Sequence, residues 1–139
     1  MRYVLMLLAL GGIFVSTLAL RIHYSNDAPP CSINEHWDCG TVNHSRFAEM
    51  GGFPVAGIGV IGYTAILMLL VFDGRASRRV VLLAALGGLG FALYLTSIEA
   101  NVLHIWCLYC VISQSIIALI TLIAFIRAMA DKRRRHALA

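Results

Sequence analysis

The sequence CLYCVISQSIIALITLIAFI, residues 107–126, contains no Asp, Glu, Lys or Arg and begins with two cysteines in a C-x-x-C spacing. An α-helix of about 20 apolar residues crosses the hydrocarbon core of a bilayer, which is roughly 30 Å thick. Three more stretches without those four residue types lie at residues 3–20, 50–72 and 80–98. The sequence therefore predicts an all-α membrane protein built as a bundle of four transmembrane helices.

The composition leaves little chain for a soluble domain. Apolar residues make up 60% of the sequence and charged residues only 13%, whereas charged residues are about 25% of an ordinary soluble domain. We expect a single integral membrane domain over residues 1–139, with one long polar loop at about residues 22–52 between the first two helices. The expected helices cover about residues 3–21, 53–72, 79–99 and 105–128.

Lysine and arginine are distributed unevenly among the segments that flank these helices. The long loop contains only Arg21 and Arg46. The other basic residues lie before the first helix, between the second and third, and after the fourth: Arg2, Arg75, Arg78, Arg79, Arg127, Lys132, Arg133, Arg134 and Arg135. Because segments rich in Lys and Arg stay in the cytoplasm, we expect both termini there and the long loop on the outside.

This topology places all four cysteines on the outer face, because the short connection at residues 99–106 is outside as well. Disulfides persist on the outer side of a bacterial membrane, so the bacterial cytoplasmic membrane is the expected location. The pI of about 9.1 arises mainly from the basic residues that set the topology. We therefore expect no nucleic acid partner, and the first apolar stretch is expected to be a retained helix rather than a cleaved signal.

The cysteines form two pairs, Cys31 with Cys39 in the long loop and Cys107 with Cys110 at the start of the fourth helix. A single cysteine in a membrane helix is often only a small buried side chain, but two pairs on one face favour redox chemistry. If the helix begins near Trp106, Cys107 lies in its first turn, where unpaired backbone N–H groups stabilise a thiolate. Cys110 lies about 4.5 Å deeper on nearly the same face, towards the bundle interior.

The loop pair closes a short ring that contains Glu35, His36, Trp37 and Asp38. We expect this disulfide to be exposed and exchangeable, in a flexible loop that can carry it to Cys107. Gln114 shares a helix face with Cys110. It could donate a hydrogen bond to a bound carbonyl or bond to a neighbouring helix, and the sequence favours neither.

Small residues in the second and third helices are expected to let the helices approach closely; these are Gly57, Gly59, Gly62, Ala84, Gly87, Gly88 and Gly90. Four aromatic residues could line a site between the helices, although core packing is the favoured role for each: Phe53, Tyr63, Phe91 and Tyr94.

Taken in order, these features resemble the vitamin K epoxide reductase family in its bacterial form. The resemblance covers nearly the whole chain and depends on four helices, two loop cysteines separated by seven residues, Ser45 six positions after Cys39, and C-x-x-C at the outer start of the last helix. It implies that Cys110 reacts with a quinone, that Cys107 exchanges with Cys39, and that Cys31 receives electrons from a partner.

The resemblance further implies a quinone-dependent thiol oxidase that forms disulfide bonds. Its electron acceptor would be ubiquinone or menaquinone (vitamin K), and its partner a thioredoxin-fold dithiol protein outside the membrane, which we expect to be a separate chain. The expected quinone site comprises Cys110, Gln114, Val55, Gly59, Tyr63 and Ser45. Val55 and Gln114 stand where the animal enzymes have an asparagine and a tyrosine. This difference argues for a quinone rather than the epoxide as the substrate.

The sequence also allows three alternative interpretations of the function. The first is a metal-binding membrane protein or sensor, whose soft ligands would come from Cys31, His36, Cys39, His44, His104, Cys107 and Cys110. The usual zinc spacings fit the loop cysteines poorly. The second is a structural bundle with cysteine crosslinks. The third is the unrelated four-helix quinone-coupled oxidase, which we discount because its two cysteine pairs occur in the opposite order.

Overall fold

The computed structural model describes residues 1–27, 29–72 and 74–139. In this part of the chain, four helices are long and apolar enough to cross a membrane, with mean hydropathy between 2.0 and 2.4 in their most apolar windows. They are α1 (Arg2–Tyr24), α3 (Val55–Phe72), α4 (Arg75–Ile98) and α5 (Leu108–Leu138). The predicted all-α membrane fold with one long loop after the first helix is confirmed.

Shorter elements occupy the loop between α1 and α3. A helix of five residues, α2 (Cys39–Asn43), is followed by the strands β1 (Glu49–Met50) and β2 (Phe53–Pro54), which pair antiparallel. Gly51 and Gly52 make the turn between the strands with φ angles of 59° and 84°, a region that glycine adopts without strain. This hairpin explains why α3 begins at Val55 rather than near residue 53.

The other helix ends also differ from the expected positions. Helix α5 continues to Leu138 rather than ending near residue 128, because Ala, Lys and Arg favour a helix where the chain leaves the apolar layer. Helix α4 begins at Arg75 and passes into a π-helical turn at Glu99–Leu103. His104 follows with a left-handed φ of 53°, and α5 then begins at Leu108 instead of near 105.

Helix α1 packs against α3 and α5, and α4 packs against the same two helices. The packing is close where Gly12 meets Tyr63, since a Cβ atom on Gly12 would lie 2.4 Å from the tyrosine ring. The core along the bundle axis consists of Leu5, Ala9, Tyr63, Ile66, Leu70, Val81, Ala85, Ile117, Ile120 and Ala124. Large apolar side chains such as Leu7, Phe14, Ile61 and Leu83 are exposed, as expected of a surface that lipid covers.

Basic residues gather at the end of the bundle opposite the cysteines. A guanidinium nitrogen of Arg2 donates to the carbonyl of Val71 at 2.9 Å, which joins the start of α1 to the end of α3. Arg78 near the start of α4 pairs with Asp131 in α5 at 2.8 Å. The Lys and Arg residues before α1, at the start of α4 and in the last turns of α5 therefore share one end.

Candidate functional site

Three of the four cysteines lie together in a buried cluster at the loop end of the bundle. Cys31 and Cys39 form a disulfide, whereas Cys107 and Cys110 are free thiols. Cys39 and Cys107 are fully buried and Cys31 is 3% exposed. The prediction that the loop disulfide is exposed was therefore wrong, because the loop folds over the thiols and packs them against Ile22 and Val42.

Backbone pairing holds the loop against the start of α5. The amide of Trp106 donates to the carbonyl of His36 at 2.7 Å, and the amide of Asp38 donates to the carbonyl of Trp106 at 3.1 Å. The rings of Trp37 and Trp106 lie beside each other, with centroids 6.4 Å apart. These contacts bring the ring of the loop disulfide next to the C-x-x-C segment.

Asp38 fixes the start of the short helix that carries Cys39. One oxygen of its carboxylate accepts from the amides of Gly40 at 2.9 Å and Thr41 at 3.3 Å, as an N-cap does. The same oxygen accepts from the hydroxyl of Ser32 at 2.5 Å. This bond from Ser32, followed by that from the Thr41 hydroxyl, lowers the pKa of Asp38.

Cys107 is the N-cap of α5, one position before its first helical residue. Its sulfur accepts a hydrogen bond from the amide of Cys110 at 3.3 Å and one from the side-chain amide of Asn43 at 3.6 Å. A hydrogen bond from the Cys110 side chain is the largest cause that lowers the pKa of Cys107, and burial opposes it. Hydrogen bonds to this sulfur therefore favour the thiolate form of Cys107.

Two side chains at this cluster were missed in the sequence. Asn43 is 6% exposed, and its amide also donates to the carbonyl of Cys39 at 2.8 Å. Glu99 was expected in the aqueous connection between helices but is 4% exposed, because the π-helical turn directs it inward. A carboxylate oxygen of Glu99 accepts from the amide of Cys107 at 3.2 Å, and its carboxyl group interacts with the side chain of Cys110.

A cavity of about 450 Å³ extends from Cys110 into the bundle. All six residues of the predicted quinone site line it, contributed by three parts of the chain: Ser45, Val55, Gly59, Tyr63, Cys110 and Gln114. Asn43 and Glu99 line it as well. The fold thus brings the predicted set together on one mostly apolar space.

Several of these six side chains already have partners. Gln114 accepts a hydrogen bond from Thr96 of α4, so its amide oxygen bonds to a neighbouring helix while its NH2 group remains for other acceptors. Ser45 donates to the carbonyl of Val42 at 2.8 Å within the loop. Tyr63 donates to the carbonyl of Ser113 at 2.7 Å.

The glycines have two different roles. Gly59 supports close packing, since a Cβ atom there would lie 2.9 Å from the hydroxyl of Ser16. Gly62, Gly87 and Gly90 have no such contact, so the packing role expected for them was wrong; Gly62 and Gly87 line the cavity, as Gly59 also does. Because glycine has no side chain, Gly62 and Gly87 leave part of the cavity open. Of the four aromatic candidates, Tyr63 and Phe91 line the cavity, whereas Phe53 and Tyr94 are exposed.

The described residues contain no group of three or more His, Cys, Asp or Glu side chains placed to hold a metal ion. Two of the proposed ligands are joined in the loop disulfide. The ring nitrogens of His44 lie 2.8 Å from the carbonyl of Gly40 and 3.1 Å from that of Ser25.

The family model described as the vitamin K epoxide reductase family matches residues 3–125, a range that contains all four cysteines, Asn43 and Glu99. No curated protein matches the chain.

Proposed function

Because the chain belongs to the vitamin K epoxide reductase family and is a membrane thiol–disulfide oxidoreductase, we propose that it oxidises a soluble dithiol protein and reduces a membrane quinone. Electrons enter at Cys31 and Cys39, pass to Cys107 and Cys110, and leave to the quinone. The observation that carries this proposal is the burial of Cys39 and Cys107 in one cluster, with Cys110 next to the cavity.

The first step is exchange with the loop disulfide. A thiolate of the partner, a separate thioredoxin-fold dithiol protein, attacks Cys31 and releases Cys39 as a thiolate. The partner's second thiol then attacks the mixed disulfide, which leaves the partner oxidised and both loop cysteines reduced. Since Cys31 is only 3% exposed, this step requires the loop to move away from the bundle.

The second step passes the electron pair inward. The thiolate of Cys39 attacks Cys107 of the oxidised C-x-x-C pair and releases Cys110. Cys31 then attacks Cys39, which closes the loop disulfide again and leaves Cys107 reduced. In this scheme, the protein with a closed loop disulfide and free thiols at Cys107 and Cys110 is the state that has received electrons and can reduce a quinone.

The cavity suits a quinone in size and chemistry. Ligand sites commonly enclose about 300–1,000 Å³ of mostly apolar space with a few polar groups, and this cavity of about 450 Å³ meets both conditions. Exposed lining residues, Gly62 and Ala65 in α3 and Ala84 and Gly87 in α4, indicate that it opens between these helices. An isoprenoid tail would leave the bundle there, on a surface that lipid covers.

We propose that a quinone is held by the six lining residues expected from the sequence, Cys110, Gln114, Val55, Gly59, Tyr63 and Ser45. Gln114 can donate a hydrogen bond from its NH2 group to a quinone carbonyl, and Cys110 supplies the reacting thiol. When bound, the quinone accepts two electrons and two protons. Ubiquinone and menaquinone (vitamin K) both present the required ring carbonyls.

Reduction of vitamin K epoxide is a separate question within the family. Val55 and Gln114 stand where the resemblance places an asparagine and a tyrosine in the animal enzymes. Because Val55 offers no side-chain hydrogen bond, we propose the quinone rather than the epoxide as the substrate, and an assay with both compounds distinguishes them.

The arrangement of charges supports the proposed orientation. Most of the basic residues gather at one end of the bundle, and the cysteines lie at the other. By the positive-inside rule, both termini lie in the cytoplasm and the cysteines face the outside of a bacterial cytoplasmic membrane, where a soluble dithiol partner can reach them.

The test is single-turnover reduction of a short-chain quinone by purified, pre-reduced protein. We expect the wild type to reduce the quinone and Cys110→Ala to lose the reaction. Cys31→Ala should retain quinone reduction after chemical reduction, but should lose it when a thioredoxin-fold dithiol protein is the only electron source.

Ser115→Ala is the matched control. Ser115 is exposed on the same helix as Cys110, and its hydroxyl bonds to the carbonyl of Val111 at 2.9 Å, so the variant should react as the wild type does. A Cys110→Ala protein that still reduced quinone would contradict the proposed route.

A further inference from the structure

Glu99 contributes a buried carboxyl group next to the reactive cysteines. It is 4% exposed, accepts a hydrogen bond from the amide of Cys107 at 3.2 Å, and interacts with the side chain of Cys110. It also lines the cavity. The carboxyl group therefore adjoins both the thiol that has to lose a proton and the space proposed for the quinone.

Glu99 has no basic partner among the residues that the structure describes. Burying a carboxyl group without a cation is energetically costly, and ionisable groups inside membrane helices usually mark proton routes or ligand sites. A purely structural acceptor for the amide of Cys107 would not need to ionise, because an amide or hydroxyl oxygen serves as well.

The local backbone explains how Glu99 reaches this position. Helix α4 changes to a π-helical turn at Glu99 itself, and the left-handed residue His104 then reverses the chain towards Cys107. Such π-helical insertions occur frequently at functional sites. The turn places Glu99 against the residue that begins the C-x-x-C segment.

We propose that Glu99 is a catalytic residue that carries the proton of the Cys110 thiol to an oxygen of the quinone. This inference rests on the proposed function. With Cys107 as a thiolate, oxidation forms the Cys107–Cys110 bond, breaks the S–H bond of Cys110 and transfers two electrons. One proton reaches the quinone through Glu99 and the second comes from water, so that a thiolate, a thiol, a proton and a quinone give a disulfide and a quinol.

Other polar groups of the cavity suit this role less well. The hydroxyl of Tyr63 donates to the backbone of Ser113, and the side chain of Gln114 bonds to Thr96 and does not titrate. Of the described residues that line the cavity, Glu99 alone carries a carboxyl group.

The test compares wild type, Glu99→Gln and Glu99→Asp in single-turnover reduction of a short-chain quinone, starting from pre-reduced protein. The Gln side chain keeps an oxygen for the amide of Cys107 but cannot carry a proton. We expect Glu99→Gln to slow the reaction about 100-fold, which is typical of the loss of a general acid–base group. The rate of quinone reduction by Glu99→Asp should lie between those of the wild type and Glu99→Gln.

Two controls distinguish a role of Glu99 in proton transfer from a purely structural role. Oxidation of the reduced Cys107 and Cys110 pair by a small-molecule disulfide should slow much less in Glu99→Gln than quinone reduction does, because Cys110 still loses its proton but no quinone oxygen is protonated. Glu35→Gln removes an exposed carboxylate and should leave quinone reduction unchanged. If the wild type reduces quinone and Glu99→Gln does so equally fast, the role of Glu99 is overturned while the proposed function stands.

A wild type that fails to reduce any quinone overturns the proposed function and this inference with it. If Glu99→Gln does not fold, infrared difference spectra of the wild type decide the question. Adding quinone to pre-reduced protein should change a carboxyl C=O band that Glu99→Asp shifts. Spectra without any carboxyl band change would overturn the inference.

Discussion

The side-chain amide of Asn43 donates a hydrogen bond to the sulfur of Cys107 at 3.6 Å. The same nitrogen donates to the carbonyl of Cys39 at 2.8 Å. Asn43 thus connects the two cysteines that we propose to exchange, one in the loop and the other at the start of α5. A donor at this position favours the thiolate form of Cys107, which is the nucleophilic form of cysteine.

Asn43→Ala is therefore expected to raise the pKa of Cys107, which hydrogen bonds now hold below its ordinary value. Less thiolate is then present at neutral pH, and alkylation of Cys107 should slow about three-fold, because the side-chain hydrogen bond from Cys110, the largest cause of the lowered pKa, remains. The measurement is the pH dependence of alkylation in reduced protein, with the modified cysteine identified by mass spectrometry.

Asn101→Ala provides the control for this change. Asn101 is exposed in the π-helical turn and donates to the carbonyl of Ser97 at 2.8 Å, so its removal should not change the alkylation profile of Cys107. An Asn43→Ala profile identical to that of the wild type would show that the amide does not stabilise the thiolate.

Asp38 should control how firmly the loop holds Cys39. The pKa of Asp38 is lowered from its ordinary value of 3.8, chiefly by the hydrogen bond from Ser32. The ionised carboxylate therefore stabilises the folded protein at any pH above 3.8, and this stabilisation is lost as the pH falls through the pKa of Asp38 in the folded protein. Asp38→Ala removes the cap of α2, which costs about 1 kcal/mol. We expect faster hydrogen exchange at the amides of Gly40 and Thr41.

Asp27→Ala is the matched control, since Asp27 is an exposed carboxylate at the other end of the loop. Exchange at Gly40 and Thr41 should be unchanged in this variant. The same two amides in the wild type should exchange faster, relative to the intrinsic rate, once the pH is low enough to protonate Asp38. Equal protection in Asp38→Ala and wild type would rule out the capping role.

The four membrane-spanning helices could be predicted because a charge-free stretch is a local property of the sequence. The burial of Cys31 and Cys39 could not be predicted. It depends on backbone pairing between residues 36–38 and Trp106, which are far apart in the chain and are not marked by any periodic sequence pattern. Composition marks a loop as polar, but it does not show which surface the loop covers.

Glu99 was missed for a related reason. An acidic residue between two apolar stretches normally indicates where the chain returns to water, and the π-helical turn that directs it inward has no established sequence signature. A signal was present, since Glu99 lies close to the C-x-x-C pair in sequence and ionisable residues near membrane spans are often functional. Asn43 had no comparable signal in a polar loop.

Filling the cavity should weaken quinone binding without harming the fold. A Cβ atom on Gly87 meets nothing within 4 Å outside its own helix, and Gly87 lines the cavity. Gly87→Leu is therefore expected to raise the KM for a short-chain quinone about ten-fold, comparable to the loss of one or two well-packed apolar contacts. Thermal stability should stay the same or rise, because leucine favours a helix more than glycine does.

Gly90→Leu is a matched control on the same helix. Gly90 also has open space around it, but it does not line the cavity. Its KM for quinone should equal that of the wild type. If both variants raised KM equally, the effect would come from the helix surface rather than from the cavity, and the proposed quinone position would be wrong.

The proposed exchange between loop and helix can be trapped. In the double variant Cys31→Ala with Cys110→Ala, only Cys39 and Cys107 remain. Both are fully buried in the same cluster, and neither has a resolving thiol, so mild oxidation should join them in an intramolecular disulfide. Mass spectrometry of peptides digested without reduction identifies this bond.

The companion variant Cys39→Ala with Cys110→Ala leaves Cys31 and Cys107, and it distinguishes specific exchange from simple proximity. Helix α2 and its Asp38 cap place Cys39, but not Cys31, next to the amide of Asn43 that bonds to Cys107. We expect the disulfide to form much more slowly in this variant. Equal rates in the two double variants would mean that the loop presents either cysteine to Cys107, and the assignment of Cys31 to the partner would then fail.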